Sequence, residues 1–467
     1  MKVVLVVPDG VGIRNFLYTR FLDLLAQRAE VVAWHVLPEH VLATQEGRSV
    51  RFEPLPYVRE GLAARVLRQA KIHAQLYWRY EEDAAEVMLK FRRPSGGLLA
   101  RTVAHAAHLL GRAARTQDGA AWLDRSHAAA ASGDGALEPF EAFLRREKPD
   151  VVFCTHQRAS RAIPALLAAR RLGIPTATFI YSWDNLPKGR MAVHADHALV
   201  WSDRMRDELL LYYPEVDPER VHVVGTPQFE PHLDPSLVRT REELLGGLGL
   251  DPSRPVVCFS GDDMATSPFD PAYLADLAKA LQQKPGPQIL FRRAPTDLGG
   301  RYGEVLDAYP EIAVCDPAWK AGEGDWTQVA PLPEDLALLA NVARHCDAVV
   351  NLGSTMGMDF AIFDKPAIYV AYDPPGTGDW RVMDLYRLPH FRCVHEIQPV
   401  YWAHAAADLG ELVHHALAHP EEKREARARW LREIVAHPLD RASERCAAAI
   451  LGLGGLELGS PGLGGSA

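Results

Sequence analysis

Charged and polar side chains combined with glycine follow several short apolar runs of this sequence. The first such segment comes directly after residues 3–7 and contains Asp9, Gly10, Gly12, Arg14 and Asn15. Glycines let the backbone approach a ligand closely, and a helix N-terminus attracts anions or polar groups. We interpret Asp9 as a candidate general base and Arg14 and Asn15 as residues that position a ligand. The alternative is that Asp9 only caps the helix and the glycines only form the turn.

Two more polar segments follow apolar runs in the same half of the chain. His156 comes shortly after Val151–Cys154 and has a side chain that can exchange a proton near neutral pH. A hydrogen-bonded structural histidine is the alternative. The second segment follows Ile180 and contains Trp183, Asp184 and Asn185. Its density of polar and aromatic groups favours a ligand-binding loop over a simple surface loop.

The second half of the chain carries three turns that suit an anionic ligand. Guanidinium groups bind phosphate oxygens in pairs, and backbone N–H groups with hydroxyls at a helix start bind anions without a metal. Together the turns predict a nucleotide-diphosphate site formed by Ser260, Gly261, Arg292, Arg293, Thr296, Ser354, Thr355, Met356 and Asp359. Taken singly, the last turn is more typical of a helix capped by serine or threonine than of an anion site.

Absent motifs exclude several enzyme classes. The sequence has no Gly-Lys dipeptide, no Asp-x-Asp, no HExxH and no Gly-x-Ser-x-Gly. P-loop kinases, zinc proteases and typical α/β-hydrolases are therefore excluded, and no metal site is predicted. Gly10-x-Gly12 lacks the third glycine of a dinucleotide fingerprint, because Asn15 stands in its place.

Composition and charge narrow the function further. The 467 residues carry a formal net charge of −9, which argues against nucleic-acid binding by the whole chain. Six scattered cysteines without CxxC pairing favour a reduced, cytoplasmic protein. Residues 59–115 hold eleven lysines and arginines against five acidic residues, a charge of +6 that leaves −15 for the rest. This basic segment favours peripheral contact with an anionic membrane or an anionic acceptor. The alternative is a solvated helical insertion.

Strand-like apolar runs that alternate with helical patterns predict parallel α/β sheets. We expect a helix over about residues 13–28, a helical insertion at 58–127 and a first domain ending at 228. A second α/β domain is expected over 229–430. A long helix over about 421–451 is expected to close the fold, with 431–452 crossing back to the first domain. Residues 453–467 are expected to form a frayed tail.

Two regions resemble the GT-B glycosyltransferases. Val221–Phe229 resembles the hinge strand that ends their first domain, and Asp347–Ala367 resembles the donor-site strand, helix and strand of bacterial surface-polysaccharide transferases and CDP-glycerol phosphotransferases. Arg292–Asp297 resembles their Arg-x-His-Pro turn, but Ala294 stands where histidine would be. The resemblance implies two Rossmann-like domains facing across a cleft, with a C-terminal helix packing back on the first.

The resemblance also implies a function. It is that of a metal-independent glycosyltransferase without cofactor, which moves a sugar from a nucleotide-sugar to a hydroxyl acceptor in surface polysaccharide or glycoconjugate biosynthesis. The donor would bind the second domain and the acceptor the first, at Gly10, Gly12, Arg14, Asn15, Trp183, Asp184 and Asn185. Asp9 is the first candidate for the base and His156 the second.

Two alternatives stay open. One is transfer of a polyol phosphate from a CDP-alcohol on the same fold, and another is a non-catalytic nucleotide-binding protein. UDP-GlcNAc 2-epimerases share the fold, but the absence of any His-Gly dipeptide counts against an epimerase.

Overall fold

The computed structural model describes residues 1–92, 97–133, 135–283, 286–297, 299–320 and 329–456. The chain forms two compact units, residues 1–228 with 434–467, and residues 229–433. Of the predicted tail, residues 457–467 lie outside the described residues. No described helix combines the length and apolar character that crossing a bilayer requires.

The strands, in chain order, are β1 (Lys2–Val7), β2 (Glu30–His35), β3 (Val50–Pro54), β4 (Val151–Cys154), β5 (Thr176–Phe179), β6 (His197–Val200), β7 (Val221–Val223), β8 (Val256–Ser260), β9 (Gln288–Arg292), β10 (Ala313–Val314), β11 (Trp319–Lys320), β12 (Ala330–Pro331), β13 (Ala348–Asn351), β14 (Ala367–Val370) and β15 (Tyr401–Ala403).

The α-helices, in chain order, are α1 (Ile13–Phe16), α2 (Phe21–Ala26), α3 (Glu39–Ala43), α4 (Leu62–Trp78), α5 (Ala85–Phe91), α6 (Leu98–Ala113), α7 (Gln117–Ala131), α8 (Glu138–Glu147), α9 (Ile163–Arg171), α10 (Asp203–Tyr212), α11 (Glu230–Leu233), α12 (Arg241–Gly247), α13 (Asp270–Gln283), α14 (Gly303–Ala308), α15 (Glu334–His345), α16 (Met356–Ile362), α17 (Val382–Tyr386), α18 (Arg392–Ile397), α19 (Asp408–Ala418), α20 (Arg424–Ile434) and α21 (Ala442–Leu453).

The first unit contains a seven-stranded parallel sheet in the order β3-β2-β1-β4-β5-β6-β7. Its interior strand β1 is a continuous apolar run because helices cover both faces of the sheet. On one face, α8 and α9 pack against the sheet, and Phe143 stacks on Trp34 with ring centroids 4.0 Å apart. On the other face, Phe16 meets Phe153 and Phe179 edge to face.

The second unit contains a six-stranded parallel sheet in the order β10-β9-β8-β13-β14-β15. The strands β11 and β12 form a separate antiparallel pair. Each of the two large sheets has one point where the strand order reverses. This topological switch point lies between β1 and β4 in the first unit and between β8 and β13 in the second. Open α/β sheets bind ligands beyond the carboxyl ends of the strands at such points.

Two of the predicted helices are corrected. The helix expected over residues 13–28 is broken into α1 and α2. The long C-terminal helix ends at Ile434 and resumes at Ala442, because Pro438 lacks the N–H that a continuous helix requires. The return to the first domain is confirmed, since Ser443 Oγ lies 3.3 Å from Thr19 Oγ1 and Arg20 pairs with Glu444 at 3.0 Å.

The helical insertion is a layer of helices in which α4 contacts both α6 and α7. Small residues dominate this contact, and its buried members are Ala70, Ala74, Ala107, Ala120 and Leu123. Sequence reasoning missed four strands: β3, β15 and the short antiparallel pair β11 and β12. Residues 50–54 form a half-exposed edge strand, which lacks the apolar run of a buried one.

Candidate functional site

Asp9 and His156 meet at the switch point of the first sheet. Asp9 follows β1 and His156 follows the neighbouring strand β4, which brings Nδ1 of His156 within 2.7 Å of Oδ2 of Asp9. Both side chains are buried. The other carboxylate oxygen of Asp9 accepts the N–H of Val11 at 3.1 Å, so Asp9 also caps the short turn that follows. Both carboxylate oxygens of Asp9 are therefore engaged, whereas Nε2 of His156 bonds to none of the described residues.

Gly12, in the turn after β1, packs directly against Thr155, which follows β4. A Cβ at this position would lie 2.4 Å from Oγ1 of Thr155, which is fully buried. Thr155 in turn donates to the carbonyl of Val6 at 3.3 Å. The Thr155 side chain therefore occupies the space that a Cβ at residue 12 would need, which accounts for the glycine independently of any ligand.

The loop after β5 is held in place by hydrogen bonds to Gln157, which follows β4. Gln157 Nε2 donates to Oδ1 of Asn185 at 2.8 Å, and Gln157 Oε1 accepts the N–H of Tyr181 at 3.0 Å. Asn185 also donates to Asp184 at 2.9 Å, and Asp184 pairs with Lys188. The candidates Asp184 and Asn185 thus order their own loop, and Trp183 is buried.

The aromatic ring of Tyr181 lies 5.4 Å from the ring of His156, centroid to centroid. Burial raises the pKa of the Tyr181 hydroxyl above its usual range. Tyr181 and Gln157 lie in polar segments that the sequence already indicates, but neither was predicted to have a role. Their place directly after the strands β5 and β4 is the signal that could have found them.

Arg14 and Asn15 lie on the first turn of the same region but have different surroundings. Arg14 Nη2 donates to Oε1 of Gln228 at 3.4 Å. Asn15 is buried, and neither atom of its side-chain amide finds a partner among the described residues. Buried polar groups are nearly always hydrogen-bonded, which makes Asn15 a group that a ligand or a water molecule would satisfy.

In the second unit, two turns flank the switch point between β8 and β13. Ser260 ends β8, and residues 353–355 follow β13. The second turn is shaped by Asn351, whose Oδ1 accepts the N–H groups of Gly353 at 3.0 Å and Ser354 at 3.3 Å. Thr355 is the N-cap residue of α16, but its side chain makes no capping bond to the helix, and Met356 is buried at the helix start.

Gly261 is enclosed by a buried polar network. A Cβ on Gly261 would lie 2.6 Å from Oη of Tyr302, which itself lies 3.2 Å from Oδ2 of Asp270. The N–H of Asp262 also donates to Asp270, at 2.5 Å. Burial raises the pKa of Asp270 to about 6, although these donors and Arg301 oppose the rise. Sequence reasoning missed this network because its members are spread over 40 residues.

The two arginines predicted to bind phosphate, Arg292 and Arg293, lie in different surroundings. Arg292 is buried, and its Nη2 donates to Oδ1 of Asp335 at 2.8 Å. Its guanidinium group is paired with an internal carboxylate, and its role in diphosphate binding stays a prediction. Arg293 is partly exposed and pairs with Asp316, and Thr296 is exposed.

Asp359 is buried, and its Oδ1 lies 3.0 Å from Nε2 of His232. The ring of His232 also contacts Phe229 and Phe363. Asp359 therefore connects α16 to the first helix of the second unit. Its role in donor binding stays a prediction, and His232 was not predicted.

The comparisons with known proteins support the fold. No protein-family model matches the chain. A stretch of 73 residues is 41% identical to alpha-maltose-1-phosphate synthase of Mycolicibacterium smegmatis, covering 15% of this chain and 19% of that protein.

Solved structures align over nearly the whole length at low identity. MnaA of S. aureus with UDP has a TM-score of 0.54 at 13% identity, covering 99% of this chain and 100% of that one. A glycosyltransferase of Rickettsia africae has a TM-score of 0.51 at 11% identity, covering 97% and 98%. The UDP-GlcNAc 2-epimerase of Neisseria meningitidis bound to UDP-GlcNAc has a TM-score of 0.51 at 11% identity, covering 97% and 100%. The chain has the GT-B fold. The fold predicted from the sequence is confirmed.

The first GT-B unit also contains a buried charge cluster that sequence reasoning missed. Lys71 of α4 lies 3.0 Å from Asp124 of α7, and its Nζ donates to the carbonyl of Ala192 at 2.8 Å. Arg190 contacts Asp124 and lies 3.0 Å from Glu215. Burial alone would raise the pKa of Asp124, but the neighbouring cations hold it well below its usual range. The cluster ties the insertion to the loop after β5.

Asp124, His194 and Glu215 offer ligand atoms that lie within 4.8 Å of one another. The guanidinium group of Arg190 already binds two of these carboxylates. A metal ion at these atoms would have to displace a buried cation, so we assign no metal centre to this cluster.

Proposed function

We propose that this GT-B chain is a glycosyltransferase that moves a sugar from a nucleotide-sugar to a hydroxyl group of a glycan or glycoconjugate acceptor. The observation that carries the proposal is the hydrogen bond between Asp9 and His156 at the switch point of the first sheet. A buried carboxylate that holds an imidazole in one orientation is an arrangement suited to general base catalysis.

The roles of the two residues are the reverse of those that the sequence favours. We assign the base to His156, because Nε2 is its unengaged nitrogen, and a positioning role to Asp9, because both of its oxygens are occupied. Nε2 would take the proton of the acceptor hydroxyl while that oxygen attacks the anomeric carbon. The bond from this carbon to the diphosphate breaks at the same time, and the nucleoside diphosphate leaves. Asn15, Arg14 and the Tyr181 loop would orient the acceptor.

The second unit would bind the donor diphosphate through the turns at its own switch point. Ser260, Ser354 and Thr355 would supply hydroxyl groups there, and the backbone at Gly261 would lie beside the ligand. Arg293 would exchange its partner Asp316 for phosphate oxygens. In this proposal the charge of the leaving group is stabilised by these groups and no metal is required.

A donor panel tests the proposal directly. The purified chain is incubated with UDP-, GDP-, CDP- and CMP-linked sugars, with and without an acceptor mixture, and nucleotide release is quantified by chromatography. We expect acceptor-dependent release with one donor class, unchanged by EDTA. No release with any sugar donor, together with CMP release from CDP-glycerol, would instead establish the polyol-phosphate transferase.

Variants then test the site. Asp9→Asn keeps the cap on Val11 but places an amide N–H against Nδ1 of His156, which forces Nε2 to carry the proton and removes the base. We expect kcat to fall by about 10²–10⁴ with little change in donor KM. His156→Gln should behave alike, whereas the control His197→Gln, at the opposite edge of the sheet, should keep full activity. Unchanged turnover in both site variants would refute the assignment.

Substitution of Arg293 tests the proposed donor-binding turns of the second unit. Arg293→Ala should raise the donor KM about tenfold or more, whereas the exposed control Arg387→Ala should not. If no nucleotide raises the melting temperature of the wild-type chain, a nucleotide-binding function of any kind is contradicted.

A hydrolysing epimerase is the second candidate, because a solved UDP-GlcNAc 2-epimerase shares the fold. This candidate predicts release of UDP from UDP-GlcNAc without an acceptor and a free sugar inverted at C2. The transferase predicts dependence on the acceptor and a sugar that keeps its C2 configuration. NMR of the sugar product separates the two.

A further inference from the structure

The helix α6 exposes large apolar side chains on the surface of the first unit. Leu98, Leu99 and Leu109 are 85%, 59% and 67% exposed. Leu98 and Leu109 are about three helical turns apart and therefore project from the same side of α6. We call this side the outer face of α6. Leucines clustered on a surface helix are a common sign of an interaction site.

The opposite side of α6 is fixed against α4. Its buried residues are Val103, Ala107 and Gly111. A Cβ on Gly111 would lie 2.5 Å from Cβ of His73 and 2.6 Å from the carbonyl oxygen of Ala70. Because the two helices meet this closely, α6 packs against α4 through its small residues, and its exposed leucines lie on the opposite side.

The sequence around the exposed leucines is rich in cationic residues. The sequence from residue 87 to 117 contains six lysines and arginines and no acidic residue. On α6, Arg101 and Arg112 are exposed, again three turns apart, and form one flank of the outer face. Neither makes an ion pair with the described residues. The rest of the chain carries a net negative charge, so an anionic surface is repelled less by this face than by the average surface of the chain.

We propose that the outer face of α6 docks the first unit on an anionic membrane surface. The helix is about 24 Å long at 1.5 Å per residue and lies parallel to the bilayer plane. Its leucines enter the headgroup boundary, while Arg101 and Arg112 contact lipid phosphates. This inference goes beyond the proposed activity and holds whether or not the chain transfers a sugar.

Vesicle co-sedimentation of the full chain tests the proposal. We expect binding to phosphatidylcholine vesicles that contain 40 mol% phosphatidylglycerol, and binding at least tenfold weaker to pure phosphatidylcholine or in 0.5 M NaCl. Leu98→Ser with Leu109→Ser should weaken binding about tenfold or more, because two apolar side chains no longer insert. Arg101→Gln with Arg112→Gln should weaken it by roughly 30-fold, at about 1 kcal/mol per arginine.

The matched control is Leu211→Ser, which removes another exposed leucine of the same unit, on α10. It should bind vesicles as the wild type does. All of these positions are exposed, so the melting temperatures should stay close to that of the wild type. Equal binding to anionic and neutral vesicles, no binding to either, or wild-type binding by both double variants would overturn the proposal. So would a wild-type dimer in light scattering that the leucine variant converts to a monomer, because a second copy would then cover this face.

Discussion

Replacement of Gly261 by alanine tests the packing beneath the proposed donor turn. The new Cβ would lie 2.6 Å from Oη of Tyr302, whereas the next atoms, Tyr302 Cζ and Asp270 Oδ2, are at an acceptable 3.4 Å. One oxygen atom is therefore responsible for nearly all of the clash. Overpacking of a buried site costs about 1–3 kcal/mol, and Tyr302 is buried and hydrogen-bonded to Asp270.

We expect Gly261→Ala to lower the free energy of unfolding by about 2 kcal/mol, which lowers Tm by roughly 4–8 °C in a unit of this size. Tyr302→Phe removes the clashing oxygen but loses its hydrogen bond, at about 1–2 kcal/mol. The double variant should then be about as stable as Tyr302→Phe alone. Urea denaturation of the four proteins measures the coupling between the two sites.

The control is Gly246→Ala in α12, where a Cβ would meet nothing within 4 Å. It should be neutral or stabilise the chain by roughly 0.5–1 kcal/mol, because alanine restricts the unfolded chain. Additive losses in the double variant, or a Gly261→Ala variant as stable as the wild type, would refute the packing argument. Nucleotide binding is then measured for the double variant Gly261→Ala with Tyr302→Phe. Weaker binding than that of Tyr302→Phe alone would indicate that residue 261 also lies beside the ligand.

Three further predictions concern buried charges. Arg292→Ala should cost about 3–5 kcal/mol in urea denaturation because it leaves Asp335 unpaired, and Arg292→Met with Asp335→Asn should recover more than half of this loss. Asp270 has a folded pKa of about 6, above its unfolded value. It therefore adds about 3 kcal/mol to the free energy of unfolding below pH 4, and this contribution is lost as the pH rises through 6. Asp270→Asn should flatten that part of the stability profile measured from pH 4 to 7.5, and an unaltered slope would contradict it. Burial, helped by Arg92 and His108, lowers the pKa of His73 to about 4. The free energy of unfolding should therefore fall by about 2.5 kcal/mol between pH 6.5 and 4, and His73→Gln should remove this fall in thermal melts.

Local patterns in the sequence were sufficient for the architecture. Buried parallel strands are continuous apolar runs, and the helices between them carry their own periodicity, so most elements of both units were predicted. The juxtaposition of Asp9 and His156 was also foreseeable, because the carboxyl ends of parallel strands share one edge. The half-exposed strand β3 and the break at Pro438 were missed, the first for lack of a pattern and the second although the proline was visible.

The direction and partner of each side chain were decided by the tertiary structure. Arg292 and Arg293 are adjacent in sequence, yet one points to buried Asp335 and the other toward the surface. Gly12 and Gly261 are required by Thr155 and Tyr302, and Lys71 is held by Asp124, all contacts between residues distant in sequence.

The sequence by itself therefore determined two parallel α/β units with polar groups at their strand ends. Strand and turn preferences are local properties, because they depend on residues only a few positions apart in the sequence. Only the tertiary structure decided the strand order, and with it the two switch points. It also decided that His156, with Asp9 behind it, is the residue with an unengaged nitrogen, because hydrogen-bond partners are set by which strands become neighbours.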